Sequence, residues 1–417
     1  VSALVLIQLM KTTSEGAKLL SYFEHRQPEI IDFIRWLVEQ ESMSRQAEAT
    51  RRIAENLGDK LAQTGATVDL ISDPHYGATL RARYEVNSPA RAQSLESTIP
   101  ADRGGAQGAG TDADYEQLLV VGHLDTVWPI GTLAARPFRI EGDRAFGPGI
   151  FDMKSGVTLA AFAMRAIKEM GRETRRPVTL LMTCDEETGS HFSRELIEEE
   201  GRRASAALVL EPPIPGGTIK TGRKGVGEFE LIIRGRPAHA GNDPRAGISA
   251  ITELAHQIIA VNELSNYESG TTLNVGVVQG GVLSNVIAAE AHASIDMRYE
   301  TMEEGARITD AMARLRPALD GARIEVRGGI NRPPLIRSAE IGRLFEQAKQ
   351  LATEIGLELR EGSVGGGSDG NFIAALGVPV LDGLGVDGAG AHAEHEHIII
   401  SDIARRAALL TRLIETL

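Results

Sequence analysis

Three short, unbroken apolar runs, each stopped by acidic or imidazole side chains, constrain the fold of this chain most. Residues 118–122, 177–184 and 206–210 do not alternate between apolar and polar, so each reads as a strand covered on both faces. Amphipathic stretches near 154–171 and 191–200 lie between them and read as helices. Strand, loop and helix repeated in this way predict an α/β fold, a mostly parallel sheet covered by helices. In such sheets ligands gather at the carboxyl ends of the strands, so the residues that end each run carry the functional information.

The rest of the chain fits around that unit. Helical patterns open it near 16–40 and 45–64, followed by strand-like runs near 67–71 and 78–85. The stretch 87–116 is rich in Gly, Ala, Ser, Asp and Pro without periodicity, and is expected to be a mobile surface insertion. The pattern changes near 222: strand 226–234, helix 245–263, strand 271–279, strand 290–299, helix 302–318 and strand 322–328. That βαββαβ order is the ferredoxin-like signature of a small separate domain. After "NRPP" the α/β character returns, with a helix near 338–354, a strand near 378–382 and a last helix near 401–416. The expected division is therefore 1–221, an inserted domain 222–331, and a second part 332–417.

Bulk properties narrow the function. The chain has 417 residues and a net charge of −13, which argues against a broad nucleic-acid or anionic-membrane surface. A single cysteine, Cys184, excludes an internal disulfide and any cysteine-clustered metal site, and its place in "VTLLMTC" reads as an inert buried thiol. The opening "VSALVLIQLM" has neither a basic leader nor a small-residue cleavage site and is too short to span a bilayer. It reads as an upstream extension with Met10 as an alternative start, and a cytoplasmic location is expected.

The strand ends share one chemistry. The first run ends in His123 and Asp125, "GPGIFDMKSG" places Asp152 before a helix, the second run ends in Asp185, Glu186 and Glu187, and the third in Glu211. Near the C-terminus "GAGAHAEHEH" offers His392, with His395 and His397 close by. Singly, each has a plain explanation: Asp152 as a helix cap, the glutamates as solvated charge. Together, on one edge of a parallel sheet, they bring several carboxylates within a few ångströms, where repulsion demands a cation. Carboxylates with imidazoles and no thiolate suit a pair of zinc ions, with manganese or cobalt as substitutes. Asp152, Glu187, Glu211 and a bridging hydroxide balance two divalent ions, which leaves Glu186 able to take a proton from metal-bound water.

The motifs "GHLDTVW", "GPGIFDMKSG", "DEETGS", "LEPP", "RPAHAGNDPRAGISA" and "GAHAEHEH", in that order, resemble the aminoacylase/carboxypeptidase family of dizinc peptidases, which includes acetylornithine deacetylase and succinyl-diaminopimelate desuccinylase. The resemblance spans nearly the whole chain and is nearest to the bacterial glutamate carboxypeptidase branch. It implies that His123 and Glu211 hold one zinc, Glu187 and His392 the other, and that Asp152 bridges them. It further implies that Asp125 orients the His123 ring and that Glu186 is the general base and later the proton donor. His392 is favoured over His395 and His397 because it follows the "GxGAH" turn and has a Glu four residues later. "VGGGSDGN" (364–371) lacks the lysine of a phosphate-binding loop and is expected to be a tight turn at the site rim, with Ser368 touching a substrate carboxylate.

From the inserted domain the resemblance implies that His239 stabilises an oxyanion in the neighbouring subunit of a homodimer. Asn285, Arg298 and Arg332 are implied to bind the substrate's C-terminal residue, two arginines favouring glutamate. His191, His256 and His292 read as ordinary helix or strand residues. The expected activity is hydrolysis of the amide bond to a C-terminal amino acid by Glu-assisted attack of a metal-held hydroxide. An N-acyl-amino-acid deacylase, a dipeptidase, or a non-catalytic metal-dependent scaffold on the same fold remain open.

Overall fold

A computed structural model of the chain describes residues 3–86 and 117–417, with side chains from residue 15 onward. The expected insertion at 87–116 lies outside the described residues. Helices occupy Ala3–Val38, Ala47–Gln63, Ser155–Glu169, Arg194–Arg202, Ala250–Asn262, Met302–Ala313, Ala339–Glu354, Gly370–Ala375 and Ile403–Thr416. The strands are β1 (Thr67–Asp73), β2 (Gly77–Tyr84), β3 (Gln117–His123), β4 (Arg139–Glu141), β5 (Arg144–Phe146), β6 (Val178–Thr183), β7 (Ala204–Val209) and β8 (Ile219–Arg223). They continue with β9 (Gly225–Arg234), β10 (Thr272–Gly280), β11 (Glu290–Tyr299), β12 (Arg323–Arg332), β13 (Glu361–Val364), β14 (Val380–Leu381), β15 (Gly388–Ala389) and β16 (His397–Ile399).

The chain forms two compact units. The larger comprises Val1–Thr221, Arg337–Gly362 and Ser368–Leu417; the smaller comprises Gly222–Ile336 with Ser363–Gly367. The larger unit is built on a six-stranded sheet in the order β1-β2-β6-β3-β7-β14. From β6 to β14 the neighbours run parallel, and only β1 and β2 are antiparallel to their neighbours. Every residue of β3 and β6 is buried, as apolar runs without alternation require. Leu118, Leu119, Val120 and Val121 are fully enclosed, each side chain contributing about 1.5–3 kcal/mol by burial. Helix Ala47–Gln63 turns Ile53, Leu57 and Leu61 inward at the four-residue spacing of one helix face. The parallel arrangement puts the ends of β3, β6 and β7 on one edge, which is where the polar residues of the three runs fall.

The smaller unit carries an antiparallel sheet in the order β10-β11-β9-β12 with helices Ala250–Asn262 and Met302–Ala313 on one face. Strict alternation makes that face: Ala291, Ala293, Ile295, Met297 and Tyr299 of β11 are buried with Leu254, Val261, Ile308 and Met312 of the helices. Two helices are shorter than their patterns. Ser249 caps the first by accepting the Thr252 N–H at 3.2 Å, so it starts at Ala250. The second stops at Ala313, ahead of Pro317, whose ring bars further helix. The expected boundary after residue 331 is also displaced, because β12 runs on to Arg332, which pairs with Val226.

Candidate active site

β3 ends in His123, whose ring is 1% exposed. Its Nε2 lies 3.1 Å from Asp152 Oδ1 and 3.6 Å from Glu211 Oε1. Its Nδ1 lies 2.9 Å from the Asp125 main-chain carbonyl, an acceptor that fixes the proton on Nδ1 and turns Nε2 toward the carboxylates. Asp125 orients the ring through its carbonyl, while its carboxylate is 3.6 Å away and is spent elsewhere. It accepts the N–H groups of Glu186 at 3.2 Å and Glu187 at 3.3 Å and the Ser44 hydroxyl at 2.7 Å. Burial raises the Asp125 carboxyl to about 7, against the pull of His123.

Asp152 sits where the chain leaves Gly149 for helix Ser155–Glu169. Gly149 has φ +71°, and a Cβ there would come within 2.6 Å of Thr126, so this turn admits only glycine. The Asp152 side chain does not cap the helix. Its Oδ1 faces His123, and its Oδ2 lies 3.4 Å from His392 Nε2. Burial opposes ionisation, yet the two imidazoles hold this carboxyl below the usual range.

β6 delivers a short turn, Glu186–Thr188. Asp185 points inward and accepts from the Phe192 N–H and the Ser193 hydroxyl. Glu187 lies 3.1 and 3.2 Å from His392 Nε2 through its two oxygens. Asp152 and Glu187 raise His392 to about 10. Against the cost of burial, Asp152 and Glu211 likewise raise His123. Glu211 follows β7, with the Lys220 ammonium 3.9 Å away. Of the other two C-terminal histidines, His397 is buried against Phe146 and its Nδ1 lies 2.8 Å from the His395 carbonyl, while His395 is exposed.

Among the described residues, ligand atoms of His123, Asp152 and Glu187 lie within 4.8 Å of one another, and so do those of His123, Glu186 and Glu211. Two imidazoles and several half-buried to buried carboxylates, one of them facing both rings, form a donor set that suits divalent metals such as zinc.

Sequence reasoning missed the supports behind this edge. Asp369 is buried and accepts hydroxyls from Thr183 at 2.8 Å and from Ser190, so one carboxylate grips both ends of the turn that carries Glu186 and Glu187. Ser368 was expected at the substrate. It is fully buried, donates to Asp382 at 2.6 Å and accepts from the Gly370 N–H at 3.1 Å, which leaves its hydroxyl no proton to offer a carboxylate. The "SDG" tripeptide starts a helix; the only sequence signal was its pairing of Ser and Asp at a helix entrance.

In the smaller unit, His239 is exposed and its Nδ1 accepts the N–H groups of Gly241 and Asn242, each at 3.1 Å. Its Nε2 therefore carries the proton and is a donor. His239 pairs with Val286, and the Ala240 N–H donates to the Asn285 carbonyl, so these two segments run side by side. Arg298 and Arg332 both lie opposite Val226, on the strands flanking β9. The Arg298 guanidinium forks onto Asp296 at 2.7–3.1 Å. Arg332 is 4% exposed and donates to the Asn331 side chain at 2.8 Å.

The sequence matches the profile described as Peptidase family M20/M25/M40 over residues 119–416. It is 33% identical over 311 residues to carboxypeptidase G2 of Pseudomonas sp. (strain RS-16), covering 72% of this chain and 73% of that protein. It is 30% identical over 323 residues to a succinyl-diaminopimelate desuccinylase of Thioalkalivibrio sulfidiphilus (strain HL-EbGR7), covering 72% and 83%. Its fold is similar to that of the M20 family metallo-carboxypeptidase Sso-CP2 from Sulfolobus solfataricus, with a TM-score of 0.72 at 16% identity over 93% of this chain and 98% of that one. No helix among the described residues is long and apolar enough to cross a membrane.

Proposed function

This chain belongs to peptidase family M20/M25/M40, and on that footing we propose that it is a two-metal amidohydrolase that releases the C-terminal amino acid of a peptidyl or N-acyl amide. The observation that carries the proposal is Asp152, whose two oxygens face two different imidazoles, His123 and His392. His123 and Glu211 would hold one ion, Glu187 and His392 the other, and Asp152 both. Two zinc ions, when bound, supply a water of lowered pKa and polarise the scissile carbonyl.

The chain's own residues do the rest. Glu186 takes the proton from the attacking water and returns it to the leaving nitrogen. Its backbone is pinned by Asp125, and its turn is gripped by Asp369, so it is presented with little reorganisation. His239, with its proton on Nε2, is equipped to donate to the oxyanion. We assign it to the site of a second copy in a homodimer. What supports the dimer is β10, an edge strand that exposes Val277 and Val278, the kind of edge that proteins normally cover.

The similarity to carboxypeptidase G2 favours release of a C-terminal residue, the motif resemblance to the glutamate carboxypeptidase branch favours glutamate there, and Arg298 and Arg332 opposite one residue agree with an anionic substrate. The Arg298–Asp296 fork weakens that preference, since a substrate carboxylate would have to compete with it. The similarity to a desuccinylase keeps an N-acyl-amino-acid deacylase as the second reading. The test is hydrolysis of N-acyl amino acids with one acyl group and a varied amino acid. A kcat/KM that peaks at glutamate and falls in the Arg332→Ala variant supports the first reading; indifference to the amino acid with strong dependence on the acyl group favours the second.

A further inference from the structure

Glu396 is 3% exposed, and its carboxylate accepts four N–H groups. Oε2 accepts from the Trp128 indole at 2.7 Å and the Gly149 amide at 2.9 Å. Oε1 accepts from the Phe151 amide at 2.9 Å and the Asp152 amide at 3.1 Å. These donors come from the loop that follows His123 and from the turn that ends in Asp152. Glu396 itself stands four residues after His392, in a turn closed by the Ala393 N–H to Gly390 and the Glu396 N–H to Ala393. One buried carboxylate thus joins the three segments that carry His123, Asp152 and His392.

The local backbone explains why an anion is needed there. Gly149 is left-handed, and Asp152 and Met153 have non-helical angles (φ −116° and −133°), so the amides of this turn converge instead of entering a helical ladder. Convergent amides form a site for negative charge, and here the chain fills it from within. A neutral amide cannot replace it, because its NH₂ would face two of the four donors.

We propose that Glu396 is a positioning residue: it fixes the Asp152 carboxylate at its distance from the His392 imidazole and so sets the affinity of the ion shared by Asp152, Glu187 and His392. The ion at His123 and Glu211 depends on it less, because the His123 ring is fixed independently by the Asp125 carbonyl. The inference rests on the two-metal reading above.

The test is competition for zinc between the protein and a chromophoric chelator. Wild type should retain two ions in two steps. Glu396→Gln should hold one ion as wild type does and the other 10–100-fold more weakly, the range typical of lost partners behind metal ligands. Its kcat should be low at limiting zinc and recover at saturating zinc, with KM within about twofold of wild type. Wild-type retention of both ions in this variant overturns the inference, and so does equal loss of both without rescue by zinc, which marks a merely structural role. If Glu396→Gln does not fold, Trp128→Phe decides: it removes one donor and should weaken the same single ion several-fold, whereas unchanged affinities overturn the inference. Fewer than two ions in wild type would overturn the two-metal reading, and this inference with it.

Discussion

Glu186 and Glu187 are adjacent and chemically identical, so exchanging each for glutamine separates their roles. Glu187 has both oxygens within 3.2 Å of His392, whereas a Glu186 oxygen groups with the ligand atoms of His123 and Glu211. Geometry alone would allow either to be a ligand. If Glu186 is the base, Glu186→Gln keeps the shape and the Asp125 contact, which is made by its backbone, and loses only the proton acceptor. Loss of a general base costs about 10²–10⁴ in kcat, or about 3–5 kcal/mol in the barrier. Bound zinc after gel filtration should stay at the wild-type level. Glu187→Gln removes a charged ligand, so one ion should be lost on the same column and activity should return in part with added zinc. The assay pairs kcat on an N-acyl-glutamate with elemental zinc in the same fractions. Metal loss in Glu186→Gln together with full metal in an inactive Glu187→Gln would refute the assignment.

Proton linkage gives a second expectation. In the metal-free protein His392, raised to about 10, is protonated at pH 7.5, so zinc uptake should release protons and tighten as pH rises toward 10; uptake without release contradicts this. The stabilisation from His392 is complete below its unfolded value of 6.5 and lost as pH rises through about 10, so the Tm of the metal-free protein should carry a falling contribution across that window that zinc removes. Asp369→Asn halves the acceptors that grip the catalytic turn, bonds worth about 1.5–3 kcal/mol each, and should lower both Tm and kcat with KM unchanged; wild-type kcat in the folded variant would refute the clamp. Glu186→Ala and His239→Ala homodimers should each be nearly inactive, and co-refolding them should restore about a quarter of all sites, since half the dimers are mixed and each has one complete site. A mixture that stays inactive although mixed dimers form would place His239 in its own chain's chemistry or outside it.

What was legible in the sequence was whatever leaves a local pattern. Buried runs without alternation announced β3, β6 and β7, and the strand and helix order after residue 222 announced β9 and β11 as part of a separate βαββαβ unit. The residues that end those runs were readable because a parallel sheet must gather strand ends on one edge. Ser368 was misplaced because a small polar residue beside glycines looks the same at a rim as at a buried helix entrance; only its bond to Asp382 distinguishes them. Asp369 and Glu396 were invisible as supports because their partners stand far away in the chain, 179 positions in the bond to Ser190 and 268 in the bond to Trp128. The same limit hid the division of labour within Asp125, whose carbonyl and carboxylate serve different neighbours.

In the proposed site one aspartate, Asp152, would serve two metal ions. The most direct measurement is titration of zinc-free protein with zinc while bound metal and activity on an N-acyl amino acid are followed together. Binding should end at two ions per chain, and activity should become full only as the second binds. Full activity at one tightly held ion per chain would contradict it and reduce Asp152 to an ordinary ligand of a single metal.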